Sequence, residues 1–356
     1  MATCWLSTFT VAIRYTVEEL NSKIICMRSH WFPITLFIII AIVVAVESLN
    51  SYQKEKVDKK EFAKYLASEK LDTVWQGSNK YQIPYYSDSG KLIWYGHELI
   101  SNTSYYLGPK GTVAHLTNGM TCQNCHLDGG TIPYGNNYGK VYSTYPQFRP
   151  RNNGIQSIFA RVNDCLERSL NGRSMDSATH EMKAIYAYMK WLGEDVPKGQ
   201  KPGGTSIMKL KYLDRAADPV SGRQVFLEKC QSCHGNNGQG QLNASGTGYS
   251  FPPLWGQHSY NDGAGLYRIS SFAGFVKNNM PFGTDYHSPV LTNEEAWDVA
   301  AFVNSQPRPH KDQHLDWQNI AQKPVDFPFG PYADAFSERQ HKYGPFKPIQ
   351  TAQKTK

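Results

Sequence analysis

The chain has 356 residues, with 37 Lys+Arg against 30 Asp+Glu and a formal net charge of +7. Its 22 Tyr, 16 Phe and 8 Trp are too much apolar surface for a disordered chain, and seven cysteines are too few for a disulfide scaffold. A single continuously apolar run excludes a multi-span membrane protein, and the mild, scattered positive charge argues against nucleic acid as a partner.

Residues 1–30 read as a cytoplasmic segment. The run over 31–46 (WFPITLFIIIAIVVAV) carries no charge, follows Arg28 and His30, and ends at Glu47. A membrane span usually needs about 17–25 residues, so the run is slightly short. It is too apolar for a surface helix, and its flanks have the layout of an export signal with the positive side left in the cytoplasm. The sequence after it makes a poor cleavage site, so an uncleaved anchor over 31–48 is expected ahead of a cleaved signal. Met27 also opens a conventional signal (MRSHW, then the apolar run). Translation from Met27, with residues 1–26 untranslated, is the second reading of this terminus.

A first domain is expected over 49–205. It holds Cys122-Gln-Asn-Cys125-His126, a C-x-x-C-H motif. In a c-type cytochrome the two thiols form thioethers to the porphyrin and the adjacent histidine becomes an iron ligand. A zinc half-site is the alternative, but further Cys/His ligands at matching spacing are lacking. The stretch 156–170 (QSIFARVNDCLERSL) reads as a helix carrying Cys165. Cys4 and Cys26 precede the anchor, which leaves Cys165 as the one cysteine of the exported part outside the C-x-x-C-H motifs. A lone thiol in an oxidising compartment is either a buried, inert residue or a reactive group. Its surroundings are basic: Arg149, Arg151, Arg161, Arg168 and Arg173 against Asp164 and Glu167. Basic neighbours favour a thiolate and gather a small dianion, and helical spacing puts Arg161 and Ser169 on the face of Cys165. No Met-Pro loop accompanies this half; Met175, Met182 and Met189 look like ordinary helix residues. An amphipathic helix over 177–192 closes the half, and 194–206, rich in Pro, Gly and Lys, reads as a linker.

A second domain is expected over 206–311. Cys230-Gln-Ser-Cys233-His234 is the second C-x-x-C-H motif. Two such motifs behind an export signal point to two covalently bound haem c groups. Met280-Pro281, in a loop before the last helix, suits a thioether ligand on the distal side of the second iron, with Lys277 as the rival. A helix over 292–305 opens with the capping box Thr292-x-x-Glu295. The tail over 312–356 has too little helical pattern for a domain and too many aromatics for disorder, and reads as an irregular strap over both domains. The fold class expected is all-α: two cytochrome c-type haem domains behind an N-terminal transmembrane anchor.

On the stretches CQNCHLDGG, RPRNNGIQSIFARVNDCLERSLNGR, CQSCHGNNGQG, FPPLWGQHSYNDGAGLYR and FVKNNMPFG, the chain resembles the dihaem thiosulfate dehydrogenases, called tetrathionate reductases when run backwards. The resemblance runs from about Leu71 to the C-terminus, and NDCLERS is its most specific part. It implies that Cys165 ligates the first, catalytic haem opposite His126. It also implies that Arg151, Arg161 and Ser169 lie on the substrate side, and that Met280 ligates the second haem opposite His234. Some members carry Lys beside or in place of that Met; here Asn279 precedes Met280, so this feature is not carried over.

The reaction implied joins two thiosulfates to tetrathionate, with two electrons passed from the first haem to the second and on to an external carrier such as a small cytochrome c. Tetrathionate reduction uses the same parts. The enzyme is expected to be membrane-anchored, with its catalytic part on the periplasmic side. A membrane-anchored electron carrier with no substrate chemistry is the main alternative. An enzyme that conjugates thiosulfate to a partner's cysteine, and a dihaem peroxidase with an open iron position, are the others.

Overall fold

The computed structural model describes residues 38–54, 56, 57, 60 and 74–354. The chain divides into two compact units, Met1–Tyr65 and Leu66–Lys356. In the first, residues 38–54 are helical and exposed. Among the described residues no helix is long and apolar enough to cross a membrane. Past Val46 the helix runs into polar sequence, and residues 31–37 of the expected anchor, like Met27, lie outside the described residues.

The second unit is helix-rich. Its longer helices are α1 (Asp88–Ser101), α2 (Ile158–Arg168), α3 (His180–Gly193), α4 (Pro219–Lys229), α5 (Ile269–Asn279), α6 (Asn293–Ser305), α7 (Glu338–Tyr343) and α8 (Phe346–Lys354). Two small antiparallel hairpins depart from an all-α reading: β1 (Gln147–Arg149) with β2 (Gly154–Gln156), and β3 (Gln241–Leu242) with β4 (Tyr249–Phe251).

Each half is organised on one pair of packed helices, α1 with α3 and α4 with α6. Both crossings are made at a glycine. A Cβ on Gly96 of α1 would sit 2.0 Å from the Ala184 carbonyl oxygen of α3, and one on Gly222 of α4 would sit 1.9 Å from that of Asp298 on α6. Backbones this close leave room for no side chain. Around the first pair, Leu99, Ile100, Leu166, Met182 and Tyr188 form one hydrophobic core; around the second, Phe226, Phe272, Trp297, Val299 and Val303 form another.

The helix starts follow their caps. Thr292 caps α6, with the reciprocal Glu295 contact expected of that motif. The helix expected over 177–192 begins at His180, because Thr179 is its N-cap and accepts from Met182 N. The helix expected over 156–170 begins at Ile158 behind the Ser157 cap, because Gln156 belongs to β2 and its amide donates to Asp164.

Two expectations change. Residues 194–206 are packed against the first half rather than strung as a linker: Trp75 N donates to the Gly203 carbonyl (2.9 Å), and Tyr134 N and Asn137 Nδ2 both donate to that of Gly204 (2.7 Å). The tail is not irregular throughout. It ends in α7 and α8, and Phe346 and Ile349 of α8 enter the second core. Pro and Gly hide this pattern in sequence, because they sit at Gly344-Pro345, between the two helices.

Candidate active site

A cavity of about 270 Å³ opens inside the first half. Cys122, Cys125 and His126 line it. The motif is shaped by a 3₁₀ turn over Cys122–Asn124, whose Thr121–Asn124 capping box holds its start. Cys122 N donates to Thr103 Oγ1 (3.0 Å), which anchors the motif to the end of α1. The His126 ring stacks on Tyr138, centroids 4.5 Å apart, and its Nδ1 donates to the Asn136 carbonyl. That bond occupies Nδ1 and leaves Nε2 as the nitrogen that could hold a metal. Burial pushes the imidazolium pKa down to about 4, so the ring is neutral, and pushes the Cys122 and Cys125 thiols up to about 11 and about 12. Neutral thiols next to a neutral imidazole are what a covalent porphyrin consumes and what its iron takes.

α2 brings Cys165, Arg161 and Ser169 to the same cavity. Arg161 and Ser169 lie one helical turn on either side of Cys165, as the spacing predicted. The guanidinium of Arg161 is held above its ordinary range, first by the charge of the Cys165 sulfur. Arg151 is not among the lining residues. It sits on the turn between β1 and β2, where its carbonyl accepts from Trp317 N (2.8 Å) and its guanidinium lies 6.0 Å from the Trp317 ring. Burial, then Arg168 and Arg161, push it down to about 10. Met189, which reads as an ordinary helix residue, also reaches the cavity, whereas Met175 and Met182 are core.

Lys140, Gln147 and Arg149 line the cavity too. Arg149 is visible in sequence as part of the basic run, but nothing local marks Lys140. It stands just before the short helix Val141–Thr144 and reaches the site only through the fold.

A second cavity, about 510 Å³, is lined by Cys230, Cys233 and His234 on one side and by Met280 with Phe272, Phe275 and Val276 on the other. His234 Nδ1 donates to the Pro252 carbonyl (2.8 Å), which again leaves Nε2 without that bond and able to hold a metal. Met280 caps the C-terminus of α5. Lys277 is buried, lies outside the lining, and donates to the Leu291 carbonyl. Thr121 and Cys125 line both cavities, which therefore share a wall. Both cavities fit a covalent haem: paired thiols, an oriented histidine, and a lining with more apolar than polar surface.

The family model "SoxA/TsdA, cytochrome c domain" matches residues 113–197 and the "Cytochrome c" model matches 220–307. The thiosulfate dehydrogenase of Psychrobacter arcticus is 39% identical over 222 residues, 62% of this chain and 65% of that protein. That of Stutzerimonas stutzeri is 35% identical over 227 residues, 64% of this chain and 71% of its own. That of Allochromatium vinosum is 39% identical over 224 residues, 62% and 79% respectively. Among solved structures, thiosulfate dehydrogenase (TsdBA) from Marichromatium purpuratum superposes with a TM-score of 0.62 at 28% identity, covering 72% of this chain and 54% of that one. The chain thus spans roughly two thirds of the first of these relatives and about half of the solved chain. With a haem site in each half and these relatives, the chain belongs to the thiosulfate dehydrogenase family and is a c-type cytochrome with two covalently bound haems.

Proposed function

We propose that the protein oxidises two thiosulfates to one tetrathionate at the Cys165 cavity and can run the reaction backwards. The observation that carries this is the meeting of Cys165, Arg161 and Ser169 in the cavity that Cys122, Cys125 and His126 line. His126 and Cys165 would hold the first haem, and His234 and Met280 the second. When bound, the haems supply the one-electron redox chemistry that takes up the two electrons released per tetrathionate.

The residues of the chain do the rest. Arg161 and the Ser169 hydroxyl bind and orient the dianion against Cys165. The Cys165 sulfur forms a bond to the terminal sulfur of thiosulfate: Cys–S⁻ + S₂O₃²⁻ gives Cys–S–S–SO₃⁻ and two electrons. The terminal sulfur of a second thiosulfate then attacks the sulfane sulfur and displaces the Cys165 thiolate, releasing S₄O₆²⁻. No proton moves in either step, so the site needs cations rather than a general base. Arg151, held back by Trp317, adds positive potential from outside the lining.

The same reading places the catalytic part on the periplasmic side of a membrane, tethered by the apolar run over 31–46, with a small external cytochrome c as electron partner. It is supported by the charge pattern around that run and by the attachment of haem c outside the cytoplasm. Cell fractionation checks the tether. The activity is tested by thiosulfate-dependent ferricyanide reduction with tetrathionate detection, wild type beside Cys165→Gly. Tetrathionate from the wild type, lost in a variant that keeps both haems, is the expected result. A haem-loaded wild type silent in both directions would leave the electron-carrier reading.

A further inference from the structure

The first cavity contains two cations besides Arg161. Lys140 and Arg149 both line it, Lys140 from the residue before the short helix Val141–Thr144 and Arg149 from β1. Among the described residues neither pairs with a carboxylate, and Lys140 Nζ has only the hydroxyl of Ser206, another lining residue, as its side-chain partner. Burial, then the charges of Lys201, Arg149 and Lys209, push the Lys140 ammonium down to about 8. So the fold puts two half-buried like charges in one lining, and no carboxylate of the described residues compensates either. That costs stability unless a carboxylate from outside the chain belongs there.

The pair reaches the cavity from other elements than the sulfur groups. Cys122 and Cys125 come from the haem motif and Cys165 from α2, while Lys140, bonded to Ser206, precedes the short helix Val141–Thr144 and Arg149 stands on β1 with Gln147. A haem anchored through Cys122 and Cys125 carries two propionate carboxylates on the edge away from its thioethers. We infer that Lys140 and Arg149 form a carboxylate clamp for the propionates of the first haem, with Ser206 and Gln147 as neutral partners. The ammonium meets one carboxylate as a point charge, and the guanidinium fork meets the other. The second cavity has a single cation in its lining, Lys229, and that one is tied to Glu295 (2.6 Å). The clamp is therefore particular to the first site. The inference rests on the haem that family membership supplies, not on thiosulfate as substrate.

The test uses the full chain with both haems attached, comparing wild type with Lys140→Met and Arg149→Gln. Resonance Raman spectroscopy reads the propionate bending bands, spectropotentiometry reads the midpoint potential of each haem, and steady-state kinetics reads the KM for thiosulfate. The clamp predicts shifted propionate bands and a lower potential at the first haem alone, because removing a cation leaves carboxylate charge uncompensated beside the iron. A rise in KM with bands and potential unmoved would make these cations a substrate subsite and overturn the clamp. No change in bands or potential would overturn it equally. If a neutral variant fails to retain haem, Lys140→Arg keeps the charge but changes the donor geometry; unmoved bands there would also overturn the assignment.

Discussion

At the scale of single residues, the site depends on charge that has a specific partner. Arg161 lines the cavity together with Cys165 and feels the charge of its sulfur, whereas Arg151 lies against Trp317 and stays out of the lining. A charge-assisted hydrogen bond to an anion is worth about 1.5–3 kcal/mol, so Arg161→Gln should lower kcat/KM for thiosulfate roughly 10- to 100-fold. Arg151→Gln should cost clearly less, since it acts through space. Equal losses in a side-by-side kinetic comparison would put Arg151 in contact with substrate. The spacing of Arg161 and Ser169 about Cys165 could be read from the sequence because all three stand on one helix. The withdrawal of Arg151 could not, because it depends on Trp317, far along the chain.

At the scale of elements, each half depends on a helix pair brought together at a glycine. Gly96→Val would drive a side chain into the backbone oxygen of Ala184, which no rotamer can relieve. Overpacking of this kind costs about 1–3 kcal/mol, and the backbone contact puts this variant at the upper end. A lowered thermal midpoint checks it; an unchanged one would mean that the pair can slide apart freely. Capping marked the start of α6 in sequence at Thr292. The starts of α2 and α3 differ from the expected ones although Ser157 and Thr179 are equally local caps, and at α2 Gln156 is drawn into β2 by pairing with Gln147.

At the scale of the whole second unit, the tail ties the halves together. Arg168 at the end of α2 makes a two-pronged pair with Asp316 (2.8 Å for both contacts), and both side chains are at most 10% exposed. Asp316→Ala would leave a buried guanidinium with only its longer contacts to Asp164 (3.9 Å) and the Gly263 carbonyl (3.4 Å), a loss toward the lower end of about 3–5 kcal/mol measurable by urea unfolding. A loss under 1 kcal/mol would show that water reaches the pair. Nearby, Lys311 donates to Glu167 of α2 (2.8 Å). Hydrogen bonds from Lys311 and Ser174 hold the Glu167 carboxyl below its ordinary value of 4.5. A depressed carboxyl contributes stability above its unfolded-state pKa and loses it as pH falls through the folded-state value. The stability gap between wild type and Lys311→Met should therefore be present at pH 6 and close in acid. Both groups are about one-third exposed, so the gap should be no more than about 1 kcal/mol. A gap that persists in acid would assign it to packing of the lysine stem.

The sequence by itself determined whatever is written in contiguous residues. That covers both C-x-x-C-H motifs with their histidines, the placing of Arg161 and Ser169 about Cys165, and the capped final helix of the second half. These depend on covalent spacing and local hydrogen bonds, which the chain order alone dictates. The tertiary structure decided which distant groups share a cavity. It brought Lys140, Arg149 and Met189 to the first cavity, removed Arg151 and Lys277 from the linings, packed residues 194–206 against the first half, and turned the end of the tail into helices within the second core. Each of these depends on burial and on contacts between residues far apart in the chain, and no local pattern records them.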